Sequence, residues 1–183
     1  MRHTLILLLL LLTYCKQKNH EKEFKIGKIA LILPADIKIN TALGVDSKVF
    51  NLINGSGDTF QVEYGRPGII DDLFEPMPDV FAMKEKALFK QNFNLTPSDD
   101  EALFSNSPQQ DMQQNIFDKN YYRYDTINNI IVKIVLPKRA GNGMTGMYVP
   151  LLKDSNSFSI YGLNLGIKES ETAIRFFKTL HYK

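Results

Sequence analysis

Between Asn129 and Gly162 the chain carries its densest run of strand-forming sequence, and that run limits the folds open to it. Ile130-Ile131-Val132-Lys133-Ile134-Val135-Leu136 meets Pro137, and a glycine-rich stretch from Arg139 to Gly146 follows. The chain then returns through Met147-Tyr148-Val149 and Phe158-Ser159-Ile160-Tyr161. β-Branched and aromatic residues fill the runs and Gly and Pro separate them, which is how pleated strands joined by turns read. No helical pattern lies between most of these runs, unlike a repeated βαβ chain, so neighbouring strands should mainly pair antiparallel. The expected fold class is α+β, a mainly antiparallel sheet with a C-terminal helix packed on one face.

The remaining strands and the helix follow from local pattern. Phe24 to Leu33 reads as one strand with a bulge or bend at Gly27. Ala35 to Ser47 is mixed, with Gly44-Val45-Asp46-Ser47 as a turn. Residues 48–53 and 59–64 flank Asn54-Gly55-Ser56-Gly57 and predict a hairpin. Arg66 to Pro78 is a long connection holding one short turn around Ile69 to Phe74. Val80 to Phe89 suits a helix or a strand equally. Ser98 with Glu101 reads as a capping box ahead of Ala102-Leu103-Phe104, and Ser107-Pro108 as a second helix start with Met112, Ile116 and Phe117 on one face. A polar insertion without fixed structure is the competing reading of that segment. Further strands are expected near 121–125, 129–136, 144–149 and 157–161. A helix near 170–180 has Ala173, Phe177 and Leu180 on its apolar stripe, acidic residues at its start and basic ones toward its end.

The first residues are of another kind. Arg2 gives a positive start, Leu5 to Leu12 an unbroken apolar run, and Lys16 to Glu23 a polar stretch. This is the pattern of a secretory signal (residues 1–14) with a polar tether (15–23) ahead of a single α+β domain (24–183). The apolar run is well short of the ~20 residues that span a bilayer. Leu12-Thr13-Tyr14-Cys15 resembles the lipobox of bacterial lipoproteins, with Tyr14 where that pattern carries a small residue. The resemblance implies that Cys15 becomes the N-terminus and carries lipid. Cys15 is the only cysteine of 183 residues, so no internal disulfide can form and stability must come from the core.

Candidate chemistry is sparse. His3 lies in the signal, His20 in the tether and His181 third from the end, so no histidine is placed as a general base beside a nucleophile, and no His/Cys group has the spacing of a zinc site. No cofactor motif is present, and the pattern favours a noncatalytic protein over an enzyme. Twenty-two basic against 20 acidic residues leave a formal charge of +2, without the cationic face that nucleic acid demands. Lys138, Arg139, Gly141, Asn142 and Gly143 form the one candidate recognition turn. Its amides and two cations have the ingredients of an anion site, although no Gly-Lys-Ser/Thr follows the glycines. The plainer reading is a wide hairpin turn in which glycine supplies positive φ. Asp71-Asp72, Asp99-Asp100-Glu101 and Asp154-Ser155-Asn156 lack the ordered oxygen ligands of a calcium loop, so no metal is expected. Tyr121-Tyr122-Arg123-Tyr124 reads as a strand with a half-exposed edge.

The signal and Cys15, the Gly44-Val45-Asp46-Ser47 turn ahead of a hairpin ending Glu63-Tyr64-Gly65, the turn from Pro137-Lys138 to Thr145-Gly146, and Tyr161-Gly162 before the last helix together resemble the small uncharacterised lipoproteins of Bacteroidota. The resemblance covers most of the mature chain. It implies a periplasmic domain held to the outer membrane by its N-terminal lipid, with no catalytic residue to carry over. Lys16-Gln17-Lys18 stands where surface-exported members carry acidic residues, which points to the periplasm. Two function classes follow: a noncatalytic envelope protein that binds another protein or a cell-wall component, or a small-ligand carrier or unrecognised hydrolase. A concave, partly apolar cavity with converging polar groups would favour the second; an exposed apolar patch would favour the first.

Overall fold

The computed structural model describes residues 21–75, 79–93 and 102–183. Seven antiparallel strands form the main sheet: β3 (Lys38–Ala42), β4 (Ser47–Ile53), β5 (Thr59–Gly65), β8 (Asn120–Ile127), β9 (Ile130–Pro137), β10 (Met144–Val149) and β11 (Ser157–Leu163). Their spatial order is β3-β4-β5-β11-β10-β9-β8, so a central pair, β5 with β11, joins two regions that are each consecutive in sequence. A smaller sheet of β1 (Lys22–Ile26), β2 (Ile29–Leu33) and β12 (His181–Tyr182) and the helix α3 (Ile167–Phe177) belong to the same core on one face. The α+β fold is as expected, with the helix packed on one face of an antiparallel sheet.

Strand alternation explains where the core sits. Phe60 and Val62 of β5, Val132 and Ile134 of β9, Met147 and Val149 of β10, and Phe158 and Ile160 of β11 all face the α3 side and are buried. Ala173, Phe176 and Phe177 of α3 meet them, and Phe176 stands edge-on to Phe60 with ring centroids 5.3 Å apart. From the small sheet come Phe24, Ile26, Ile29, Leu31 and Leu33. Residues at odd positions of β9 and even positions of β10 point the other way, toward what is here termed the outer face.

Several segments depart from the expectation. Residues 24–33 are two strands: Gly27 is not a bulge but part of a reversal, with φ of +52°, and Phe24 pairs with Leu31. Lys22 and Glu23, read as the end of a polar tether, pair with Leu33 and Ile32 in β1. The strand β3 was hidden because Lys38-Ile39-Asn40-Thr41-Ala42 is an exposed edge with almost no apolar alternation. The 48–64 hairpin forms in full register, but positive φ falls on Gly57 and not Gly55, and Asn54 braces the loop through Asp58.

Val80 to Phe89 is both of its alternatives in turn: β6 (Asp79–Ala82), a 3-10 turn (Met83–Glu85) and α1 (Lys86–Phe93). Ala102 to Ser105 is β7, paired parallel with β6, and not the first of two helices. Its capping residues, Ser98 and Glu101, lie outside the described residues, as do Cys15 and residues 1–14, which were read as a signal. Proline does open the second helix, α2 (Pro108–Gln113), but that helix stops before Ile116 and Phe117 can share its face.

Candidate functional site

Strand direction sorts the loops of the main sheet onto two ends. One end carries the β3–β4 loop, the chain leaving β5, the β8–β9 turn and the β10–β11 loop. There Leu43 and Val45 project fully into solvent, with relative exposures of 104% and 100%. Leu151 and Ile69, from the neighbouring loops, are also exposed. An exposed leucine is ordinary singly; four large aliphatic side chains on the loops of one end are not.

Between these loops lies an open cleft of about 440 Å³ lined by Val45, Asp46, Ser47, Lys48, Tyr64, Gly65, Arg66 and Asn156. Tyr64, at the end of β5, is its fixed point. Its hydroxyl donates to the Asp154 carboxylate and accepts from Asn156 Nδ2 at 3.2 Å. Asp154 in turn takes the Asn156 amide at 3.3 Å, closing a small polar knot across the β10–β11 loop. Burial, then the hydrogen bond to Asp154 and its charge, push the Tyr64 hydroxyl up to about 12. Burial alone would raise the Asp154 carboxyl, but the hydrogen bonds from Tyr64 and Asn156 outweigh it and hold the group below its usual value. Asp154 is therefore committed within the protein rather than presented to a cation. Gly27 makes room for the knot, since a Cβ there would run into the Tyr64 ring.

The outer face carries a second polar assembly. Glu63, Ser159, Tyr148, Lys133 and Tyr124 stand directly opposite one another across β5, β11, β10, β9 and β8. Lys133 is buried, with its ammonium 5.5 Å from the centre of the Tyr148 ring and 5.9 Å from that of Tyr122, and 3.7 Å from the Asp72 carboxylate. Cation–π attraction and one ion pair hold that charge where water is scarce. A strap, residues 69–75, lies over this row. Leu73 is its plug, buried with Val135 and Met144, and it sits against Gly146, where an added Cβ would be 2.7 Å from Leu73 Cδ1. Phe74 stacks on Tyr122, and Glu75 accepts from Asn120 Nδ2 at 2.6 Å. Burial first, then the charges of Glu63 and Asp71, raise the Tyr161 hydroxyl at the rim. Among the described residues, the Ser159 hydroxyl is the buried side-chain polar atom left without a hydrogen-bond partner.

The turn read as a recognition element lies at the opposite end of the sheet. The amide of Gly141 donates to Leu165 O, that of Asn142 to Arg139 O, that of Gly143 to Asn164 Oδ1 and that of Met144 to Asn120 Oδ1. Four successive amides are thus directed at protein acceptors, and an anion would have to displace them. Gly141 and Gly143 supply the positive φ of the turn, while Lys138 lies 5.4 Å from the Tyr121 ring centre. Lys138 and Arg139 do not meet the Tyr64 knot or the Lys133 row. His181, through Nδ1, bonds the Thr179 carbonyl at 2.8 Å and has Glu23 Oε1 3.6 Å from Nε2, which ties β12 to β1 and β2.

Sequence reasoning missed both assemblies. Tyr64 and Asp154 are 90 residues apart, and Lys133 passes for the single polar residue of an apolar strand. No protein-family model matches this chain, and no curated protein is significantly similar to it.

Proposed function

We propose that this is a noncatalytic cell-envelope lipoprotein, anchored through Cys15, whose loop end binds a partner protein. The observation that carries the reading is the complete exposure of Leu43 and Val45 beside the Tyr64–Arg66 cleft. Apolar side chains held at the tip of a rigid sheet, with a polar rim of Lys48, Arg66 and Asp46, have the composition of an interface core and its surround. Tyr64 with Asp154 and Asn156, and Lys133 with Asp72, are paired with one another as braces, and among the described residues no histidine or thiol stands beside them, which supports binding over catalysis.

Photo-crosslinking tests it directly. A photoreactive residue at Val45, in cells producing the full chain, should give a discrete protein adduct that the same residue at exposed Lys25 does not give; the same pattern at both positions, or none, overturns the reading. A cell-wall fragment as the sole adduct would move the assignment to the cell-wall ligand. The anchor has its own test. Intact mass measurement from the membrane fraction should find an acylated N-terminal Cys15, and Cys15→Ser should leave the chain unprocessed or released. A mature form that begins elsewhere would remove the anchor.

A small-ligand carrier is the second reading, and one feature favours it. A cleft of about 460 Å³ opens between α3 and the chain from β2 to β3, lined by Ile32, Pro34, Asp36, Thr172, Arg175 and Phe176 among others. Its arginine is exposed and lies 3.7 Å from Glu171 on its own helix, so that cation is partly satisfied without a ligand.

A further inference from the structure

The strand β8 is one end of the seven-stranded sheet, and among the described residues nothing pairs with its outer edge. Edges are usually blunted by shortness, proline, bulges, a covering segment or charged side chains. Of these β8 carries only two charges of opposite sign, Arg123 and Asp125, on the face it shares with Val132 and Ile134: it is eight residues long, pairs with β9 without a break from Asn120 to Ile127, and contains neither proline nor lysine. The far edge, β3, is five residues and begins with Lys38.

The direction of the free backbone groups follows from the β8–β9 turn. Asn128 and Asn129 both have positive φ, +47° and +65°, between the facing pair Ile127 and Ile130. In such a two-residue hairpin the flanking pair exchanges both hydrogen bonds, and bonded pairs then recur at every second residue. Ile127, Asp125, Arg123 and Tyr121 therefore bond to β9, and Lys138 donating to Lys119 O at 2.8 Å continues the series. Thr126, Tyr124 and Tyr122 turn their amides and carbonyls outward. The Thr126 amide is met only by the Asp125 side chain, at 2.8 Å, as an outward-facing amide would be.

Charge then selects an occupant. Arg123, Tyr124 and Asp125 are all exposed, and among the described residues neither charged group is in an ion pair. When two copies of β8 meet antiparallel about a two-fold axis at Tyr124, Arg123 of each faces Asp125 of the other. Tyr124 faces itself and Tyr122 faces Thr126, so the outward groups form bonded pairs. Arg123 and Asp125 fall in the non-bonded pairs, where side chains approach most closely. Sliding the axis to residue 123 puts Arg123 against Arg123, and sliding it to 125 puts Asp125 against Asp125. Of these three face-matched registers, only that centred on Tyr124 opposes unlike charges. Ile131, 63% exposed, lies opposite Thr126 on the outer face and carries the apolar surface toward the seam beside Tyr124, itself 74% exposed.

We infer that a second copy of this chain docks on β8, edge to edge about a two-fold axis through Tyr124, making one continuous fourteen-stranded sheet. Such an isologous contact closes on itself, which is why an unpaired edge need not lead to fibres.

Sedimentation of the full chain in detergent, over a range of concentration, tests this. The unaltered protein should show a monomer–dimer equilibrium. Arg123→Asp alone and Asp125→Arg alone each place like charges across the seam and should raise the dissociation constant about tenfold or more. The double exchange should restore the dimer. Tyr124→Pro removes one outward amide at a position where an edge strand tolerates proline, so it should abolish dimerisation while leaving the circular-dichroism spectrum unchanged. A strictly monomeric protein, a dimer indifferent to all these changes, or open-ended oligomers of the kind that β8 on β3 would give, each overturns the proposal.

Discussion

Tyr64 shows how much one residue can tie together. It reaches from β5 to the β10–β11 loop through Asp154 and Asn156, and its ring occupies the space that Gly27 leaves open on the β1–β2 turn. Tyr64→Phe keeps the ring but leaves the Asp154 carboxylate without its main donor, and should cost about 1.5–3 kcal/mol at neutral pH in a denaturant titration. The pH profile separates this bond from simple packing. The folded-state tyrosine titrates near 12 against about 10 in the unfolded chain, so its contribution is fully present below 10 and is lost as pH rises from there to about 12. Asp154 is shifted down, so its contribution is present above the unfolded carboxylate value and is lost as pH falls through the folded one. The phenylalanine variant should lose the alkaline slope and flatten the acid one; an unchanged alkaline slope would show that another group dominates. None of this was legible beforehand, because a tyrosine at a strand end and an aspartate in a loop carry no mark of their meeting.

Among the elements, legibility followed the strength of local pattern. β10 begins and ends where its sequence indicated, and the β4–β5 hairpin is at its expected place, because alternation and turn residues agree there. β3 and β12 were missed because tertiary pairing, not composition, makes them strands. The β8–β9 turn lies between these cases: Asn128-Asn129 suits positive φ, but less well than Asn-Gly. Asn129→Gly should therefore stabilise the protein by a few tenths of a kcal/mol and Asn129→Ala should destabilise it by about 1–2 kcal/mol, read from denaturant midpoints. The strap offers a sharper test. Leu73 holds φ of +59°, unusual for so large a residue, and is kept there by burial against Gly146. Gly146→Ala leaves Leu73 Cδ1 2.7 Å and Tyr161 Cβ 2.9 Å from the new methyl, so the strap must lift. We expect a loss of about 1–3 kcal/mol and new proteolytic cleavage within residues 66–75, while β4 and β5 stay protected from hydrogen exchange.

At the scale of the whole molecule, the described residues between the strap and β8 form a group of their own. β6, α1 and β7 gather their own aromatic group: Phe81 lies 4.8 Å from Phe89 and 6.1 Å from Phe104 between ring centroids, and none of the three belongs to the main core. The sequence between Val80 and Phe117 was ambiguous for this reason, since a small satellite cluster imposes little periodicity on the segments that build it. Its two ends nevertheless come together. Glu75 Oε2 accepts from Asn120 Nδ2 at 2.6 Å, the Glu75 amide donates to the Tyr122 hydroxyl at 3.3 Å, and Phe74 rests on Tyr122. A segment whose ends are hydrogen-bonded neighbours can be exchanged for a short loop without moving either flank, and closing that loop with fewer residues reduces the entropy lost on folding. Residues 79–113 should therefore be replaceable by a Gly/Ser linker of about eight residues, leaving Asn115 and Lys119 to meet Lys138 as before. The shortened chain should keep a cooperative thermal transition, the antiparallel circular-dichroism signature and the slow exchange of β5, β10 and β11 amides. If it loses cooperativity, the satellite cluster is part of the folding unit, and the separation seen in its packing has no energetic counterpart.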